Sequence, residues 1–420
     1  MKKGTILFAL LIFVLANAIP AWFVYAAESK DYVQPPITLS AKDVLPKDLL
    51  QGENYRVEDK VKNDGLINAY SLSTNYGPLT VESTAELLIR ITELKALTVM
   101  EEMDRKEVFG DALAAGAKGT VKGAVELVKS PIETSKNIVK GTGQFLSNVG
   151  DSIFGDDPDQ DNVVKVALGY DVAKRQFAFE FGIDPYTDYD PVVDRLGEIA
   201  RAAVAGGLTP KVAMAAVDHK VVLAMQISGT AYGMMQLVRD NPPGKLKELN
   251  REKLEKMGLD ESLIEAFLDN YRYNPQEETL LVGELERMQG VKGFDVFISK
   301  ADLATEETIA LSYRIRAQMM AGYHANVAPA KRIRNIDGVL ILERKDGVLV
   351  LLAPADFVVW TKKLADKVNA FENSISKMTD ISGKELWITG KFDKMARVNF
   401  ESKGWKVKAN ANAILLKNRD

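Results

Sequence analysis

The densest collection of groups able to do chemistry lies in Phe181-Gly182-Ile183-Asp184-Pro185-Tyr186-Thr187-Asp188-Tyr189-Asp190-Pro191. Paired carboxylates can divide general-acid and general-base work between them, and an aromatic face beside them suits a sugar ring. Asp188 and Asp190 are therefore the candidate catalytic carboxylates, with His324 as a candidate general base. Asp184, Tyr186 and Tyr189 are the candidate ligand-binding groups of the same loop. A plainer reading stands beside this one. Asp184-Pro185 and Asp190-Pro191 are turn starters, and aspartate followed by proline is a favoured way into a helix. His324 follows Met319-Met320-Ala321-Gly322-Tyr323 near the end of a helical pattern. There the plain role is an interaction with the helix C-terminal dipole or its last carbonyls.

Other chemistries lack their residues. The chain has no cysteine and two histidines, His219 and His324. Thiolate nucleophiles, disulfides, cysteine-bound metals, a lipidated N-terminal cysteine and a three-histidine metal site within one chain are excluded. No GxSxG, P-loop or GxGxxG pattern occurs, so nucleophile-elbow, P-loop and dinucleotide chemistry lack their markers. Asp157, Asp159 and Asp161 have the opening spacing of a calcium loop. Asn162 and Leu168, however, stand where that loop needs glycine and a bidentate glutamate. No metal and no cofactor is expected. With 54 basic against 58 acidic side chains and a net charge of −4, the balance gives no footprint for nucleic acid, and no nucleotide is expected.

A second chemistry is electrostatic. Lys118-Gly-Thr-Val-Lys122-Gly is echoed by Lys136-Asn-Ile-Val-Lys140-Gly, a spacing of about five helical turns that puts both copies on one face. Basic amphipathic helices of this kind lie on anionic bilayers, lysines at the head groups and aliphatic side chains below. Lys118, Lys122, Lys136 and Lys140 are the candidate anionic-lipid contacts. The plain alternative is a Gly/Ala-rich hairpin packed closely on its neighbours, with its lysines in water.

The elements that position these groups follow from pattern. Lys2-Lys3, an apolar run from 6 to 19, Pro20 and the small residues around Ala26 describe a secretory signal, with cleavage expected after Ala26. An uncleaved inner-membrane anchor over 6–27 is the alternative. Residues 27–155 read as a β-hairpin about Asp64-Gly65 followed by amphipathic Gly- and Lys-rich helices, opened at Ser83-Thr84-Ala85-Glu86 by a capping box. Apolar Leu87, Leu88, Ile91, Leu94 and Leu97 then recur at helical spacing. Residues 156–330 read as a helical domain, with caps at Asn250, Asp260 and Asn274. Residues 331–420 read as a small mixed α/β module: strands over 336–343 and 348–352 about Lys345-Asp346-Gly347, a helix over 356–376, and strands near Trp387 and Trp405. The fold class expected is α+β, mostly helical.

Phe181-Gly-Ile-Asp184-Pro185-Tyr186, the lysine-glycine segment before it, and Leu386-Trp387-Ile-Thr-Gly390 with Gly404-Trp405 resemble an uncharacterised family of exported, periplasmic proteins of Gram-negative bacteria. The resemblance implies export and no named activity. The function expected is that of a periplasmic or envelope protein without catalytic activity, which binds an anionic membrane surface or an envelope protein. The alternative is a carboxylate-based envelope hydrolase acting on a glycan or peptide.

Overall fold

The computed structural model describes residues 31–105, 162–206 and 229–416. The four lysines at 118, 122, 136 and 140, the segment expected to be a secretory signal, and His219 lie outside them. Among the described residues the fold is mixed α+β and mostly helical. The chain divides into two compact units interleaved in sequence. The first contains 56–87 and everything from 247 onward, and the second contains 52–55 and 88–246.

The first unit begins with an antiparallel sheet. Strands β1 (Ile37–Ser40), β3 (Lys60–Asn63) and β4 (Asn68–Thr74) are neighbours, β2 (Tyr55–Val57) completes the order, and β5 (Gly77–Glu82) pairs with β4. Between β1 and β2 lies the short helix α1 (Ala41–Val44). The expected hairpin is the β3–β4 pair, with Asn63 opposite Asn68 and Asp64-Gly65 in the turn. Gly65 sits at φ +108°, a conformation that glycine reaches without a steric penalty. Tyr76-Gly77-Pro78, which pattern alone reads as the end of this unit, is instead a second turn. The chain doubles back into β5, whose Pro78 faces Ser73.

A second sheet has the order β12-β10-β8-β7-β6. Its strands are β6 (Ala330–Ile336), β7 (Val339–Arg344), β8 (Val348–Ala353), β10 (Gly383–Ile388) and β12 (Trp405–Lys408), while the short β9 (Phe357–Val358) and β11 (Lys391–Phe392) pair with each other in parallel. The three strands from β6 to β8 form an antiparallel meander, while β8, β10 and β12 run parallel. The Lys345-Asp346-Gly347 turn is where the pattern placed it. Asp337-Gly338 is a further turn that splits the expected 336–343 strand, both residues having positive φ. Helices α11 (Lys362–Ile375) and α12 (Lys394–Ser402) cover one face, burying Trp360, Leu364, Val368, Phe371, Phe400 and Trp405 against Ile341, Leu351 and Leu386. On the other face Tyr323, from helix α10 (Glu307–Asn326), meets Trp387 edge-on with ring centroids 5.4 Å apart. Edge strand β6 presents Lys331, Arg332 and Arg334, all bonded to buried Glu343, a charged edge that discourages pairing with another chain.

The two sheets are tied through the turns. Leu66 O accepts from Asp356 N and Phe357 N, and Gly65 O accepts from Val359 N. The carboxylate of Asp356 accepts the amides of Asn68 and Thr84, both at 3.0 Å. Gly390 lets this join close, since a Cβ there would stand 1.8 Å from Asp356 O.

Between the sheets in sequence lie α6 (Pro243–Lys256), α7 (Glu261–Leu268), α8 (Pro275–Glu286) and α9 (Phe294–Ala301). Asn274 is the expected cap, its side chain accepting from Gln276 N and Glu277 N. Asn250 is not a cap. It stands inside α6, buried, and donates to Glu278 and Thr279. Burial with two partners there outweighs the local preference of asparagine for a helix end.

Among its described residues the second unit is mostly helical. Helix α2 (Thr84–Arg105) starts in the first unit with half of the expected capping box. Ser83 Oγ accepts from Glu86 N, but the Glu86 carboxylate accepts from Glu82 N. Its apolar stripe is buried at Leu87, Ile91, Leu94 and Leu97, while Leu88 is exposed. Helix α3 (Asn162–Phe181) packs against α4 (Asp190–Gly206) and α5 (Gly229–Asp240), with Phe177, Phe181, Val192, Leu196 and Ile199 in the core.

Candidate functional site

The aspartate-tyrosine loop joins α3 to α4 within the second unit. Gly182 at φ +66° ends α3, with Gly182 N and Ile183 N returning to the carbonyls of Phe179 and Ala178. Asp184 Oδ1 then accepts from Tyr186 N at 2.8 Å, an Asx turn that mimics a backbone turn. Asp190 and Pro191 are the first two residues of α4, and Tyr189 O accepts from Val192 N and Val193 N.

Side chains of α2 hold this loop. Arg90 pairs with Asp188 at 2.5 Å and with Glu93 at 2.9 Å, one helical turn along. Thr187 Oγ1 donates to Glu93, and the Arg90 guanidinium lies 5.3 Å from the centroid of the Tyr189 ring. The Glu93 side chain is 1% exposed, whereas Asp188 is 62% exposed. Burial pushes the Glu93 carboxyl above its ordinary value, more than the Arg90 charge and the Thr187 bond pull it down. Tyr186 turns inward: its hydroxyl is buried with no hydrogen-bond partner among the described residues. Burial raises that hydroxyl to about 12 against the opposing charge of nearby Arg175. Arg175 is itself buried, and donates from Nε to Arg239 O at 3.3 Å.

The loop is thus drawn onto α2 and α3. Asp184 shapes the turn, Asp188 faces Arg90, Asp190 starts a helix, and Tyr186 and Tyr189 stand against arginines. Arg90 and Glu93 are the residues the sequence reading missed. Their i, i+3 spacing on a helix that also carries an apolar stripe is the only local trace they leave.

His324 belongs to the first unit. It stands in the last turn of α10, and its Nδ1 accepts from Ala330 N at 3.1 Å, so that nitrogen carries no proton and the ring caps the entry to β6. Burial, then the charge of Lys345, push its pKa below the ordinary value. Among the described residues no three histidine or carboxylate side chains gather closely enough to hold a metal ion. Among the same residues no helix is long and apolar enough to cross a membrane.

The first unit also has a small open pocket at the N-terminal end of α11. Asp64, Gly65 and Leu66 of the β3–β4 turn line one side, and Thr361, Lys363, Leu364 and Lys367 the other. Asp64 Oδ1 accepts from Leu66 N and Ile67 N, each at 2.7 Å. Thr361 Oγ1 caps α11 by accepting from Leu364 N. Lys363 and Lys367 are four residues apart on α11.

No family model, curated protein or solved structure matches the chain significantly.

Proposed function

We propose that this chain is an exported periplasmic protein of the bacterial envelope that acts by binding, with no catalytic step at its aspartate-tyrosine loop. The observation that carries this reading is the engagement of the loop by its own unit. A hydrolytic carboxylate pair needs one proton-bearing acid and one free base facing a shared cleft. Here Asp188 is paired with Arg90, Asp184 is occupied by Tyr186 N, and Glu93 is enclosed by Arg90 and Thr187. These are the ties of a structural corner. The leader-like N-terminus supports export, and the repeated lysine-glycine pattern at 118–123 and 136–141 supports an anionic membrane surface as the partner.

One observation favours the hydrolase alternative. Glu93 and Asp188 both pair with Arg90, so two carboxyl groups stand at one place, the grouping that hydrolysis divides between acid and base work. The doubly substituted Asp188→Asn, Asp190→Asn protein separates the two. Binding predicts retained vesicle association and retained rescue of a deletion strain. Loss of rescue in a folded double variant that still binds vesicles would instead assign chemistry to the loop.

A further inference from the structure

We propose that Arg316 anchors a buried site for one small monovalent carboxylate, with Tyr313 as the second donor. This site stands apart from the membrane contact assigned above and does not rest on it.

Two arginines of α10 have opposite fates. Arg314 meets its counter-ion, Glu277, at 2.8 Å. Arg316 leaves the helix on another face and is 2% exposed, yet its Nε has no hydrogen-bond partner and no carboxylate pairs with it among the described residues. Burial pushes this guanidinium below its ordinary value, and among the described residues Tyr313 alone pulls the other way. An arginine keeps its proton even so. A buried charge without a partner is among the costliest groups a fold can hold. A counter-anion taken from solution removes that cost, and its binding favours the folded chain by mass action.

The surroundings define the anion. Side chains three, four and seven residues apart share a helix face, which places Ile309, Ser312, Tyr313 and Met320 about Arg316. All four are buried. The Ser312 hydroxyl is committed to Ile309 O at 2.8 Å. The Tyr313 ring is set edge-on against Phe297 of α9, with centroids 6.1 Å apart. Burial raises its hydroxyl more than the Arg316 charge lowers it, so the phenol stays protonated and able to donate. One guanidinium neutralises one charge. A dianion would keep an unpaired charge in the same desolvated place, whereas a carboxylate accepts the planar fork through two parallel N–H bonds. Ile309 and Met320 make the rest of this face apolar, and methionine is the side chain that most readily yields room. A short aliphatic carboxylate has the matching charge, planarity and tail.

The test is calorimetric titration of the full chain with sodium acetate, at neutral pH and constant ionic strength in a carboxylate-free buffer, with sodium sulfate titrated in parallel. One site per chain is expected, saturating below about 10 mM acetate, with sulfate at least tenfold weaker. Arg316→Met is expected to abolish saturation in a chain that circular dichroism shows to be folded. Tyr313→Phe is expected to weaken acetate at least threefold. Arg397→Met, which removes an exposed arginine paired with Glu401, is expected to leave the titration unchanged. No saturation of the native chain in that range, or acetate affinity that survives Arg316→Met, overturns the proposal. Should Arg316→Met not fold, Tyr313→Phe decides, and an unaltered affinity there overturns it. Sulfate bound as tightly as acetate overturns the assignment to a monovalent carboxylate.

Discussion

Replacing Glu278 by glutamine should make the first unit more stable at pH 8 and leave it unchanged near pH 4.5. Glu278 lies on α8, 7% exposed, and accepts from Asn250 Nδ2 at 2.8 Å. Burial raises its carboxyl from 4.5 to about 7. The Asn250 hydrogen bond and the Lys247 charge oppose this, and Asp269 reinforces it. A displacement of that size corresponds to about 3 kcal/mol between the two protonation states. The folded pKa exceeds the unfolded one, so the proton is bound more tightly in the folded chain. The stabilisation is complete below about pH 4.5 and is lost as pH rises through about 7. Glutamine keeps the acceptor for Asn250 and cannot ionise. The Glu278→Gln chain should therefore gain about 1–3 kcal/mol over the native chain at pH 8. Trp360, Trp387 and Trp405 all lie in the first unit, so urea unfolding followed by tryptophan fluorescence reads the effect. A variant less stable than native at pH 8, or equally shifted at both pH values, would refute the reasoning and show that the ionised carboxylate is well solvated in place.

Arg90→Met should cost about 3–5 kcal/mol, because it strands the buried Glu93 carboxylate, whereas exposed Asp188→Asn should cost no more than about 1 kcal/mol; urea titrations by far-UV circular dichroism compare them. Asp356→Ala should cost about 2–4 kcal/mol by leaving the amides of Asn68 and Thr84 unpaired. Asp356→Asn, which keeps an acceptor, should cost much less, and equal losses would contradict this account of the join between the sheets. Arg316 is 2% exposed, its Nε has no hydrogen-bond partner, and no carboxylate pairs with it among the described residues. Arg316→Met should therefore match or exceed native stability, by up to about 3 kcal/mol. A thermal melt that falls instead would reveal a bond the arginine makes.

Much of this fold was legible because it is locally encoded. Asp64-Gly65 and Lys345-Asp346-Gly347 need positive φ and mark their turns in any context. Asn274-Pro275 starts a helix where the pattern placed it, since cap and first-turn proline act within three residues. At Tyr76-Gly77 the break was legible but the return into β5 was not, because Pro78 directly after it reads as a stop, and the Asp337-Gly338 turn was lost because apolar Ile336 and Val339 flank it and mask the break. Asn250 misled for a different reason: its partners Glu278 and Thr279 are 28 and 29 residues away, and tertiary burial overrode a local preference. The bond between Asp356 and Asn68 spans 288 positions and leaves no trace in either segment. For the candidate site, the loop residues stood out by composition, but the Arg90 and Glu93 that anchor them are ordinary members of a helix. Lys363 and Lys367 were invisible, because only the turn at Asp64 makes a pocket of that helix face.

The central claim, binding through the basic segment, is tested most directly by flotation of residues 27–420 with neutral and anionic vesicles at low and high salt, beside a variant carrying glutamate at Lys118, Lys122, Lys136 and Lys140. The account predicts that the native chain floats with anionic vesicles alone, and that salt or the four substitutions release it. A native chain that stays at the bottom of every gradient, or floats equally well with the lysines reversed, would contradict it.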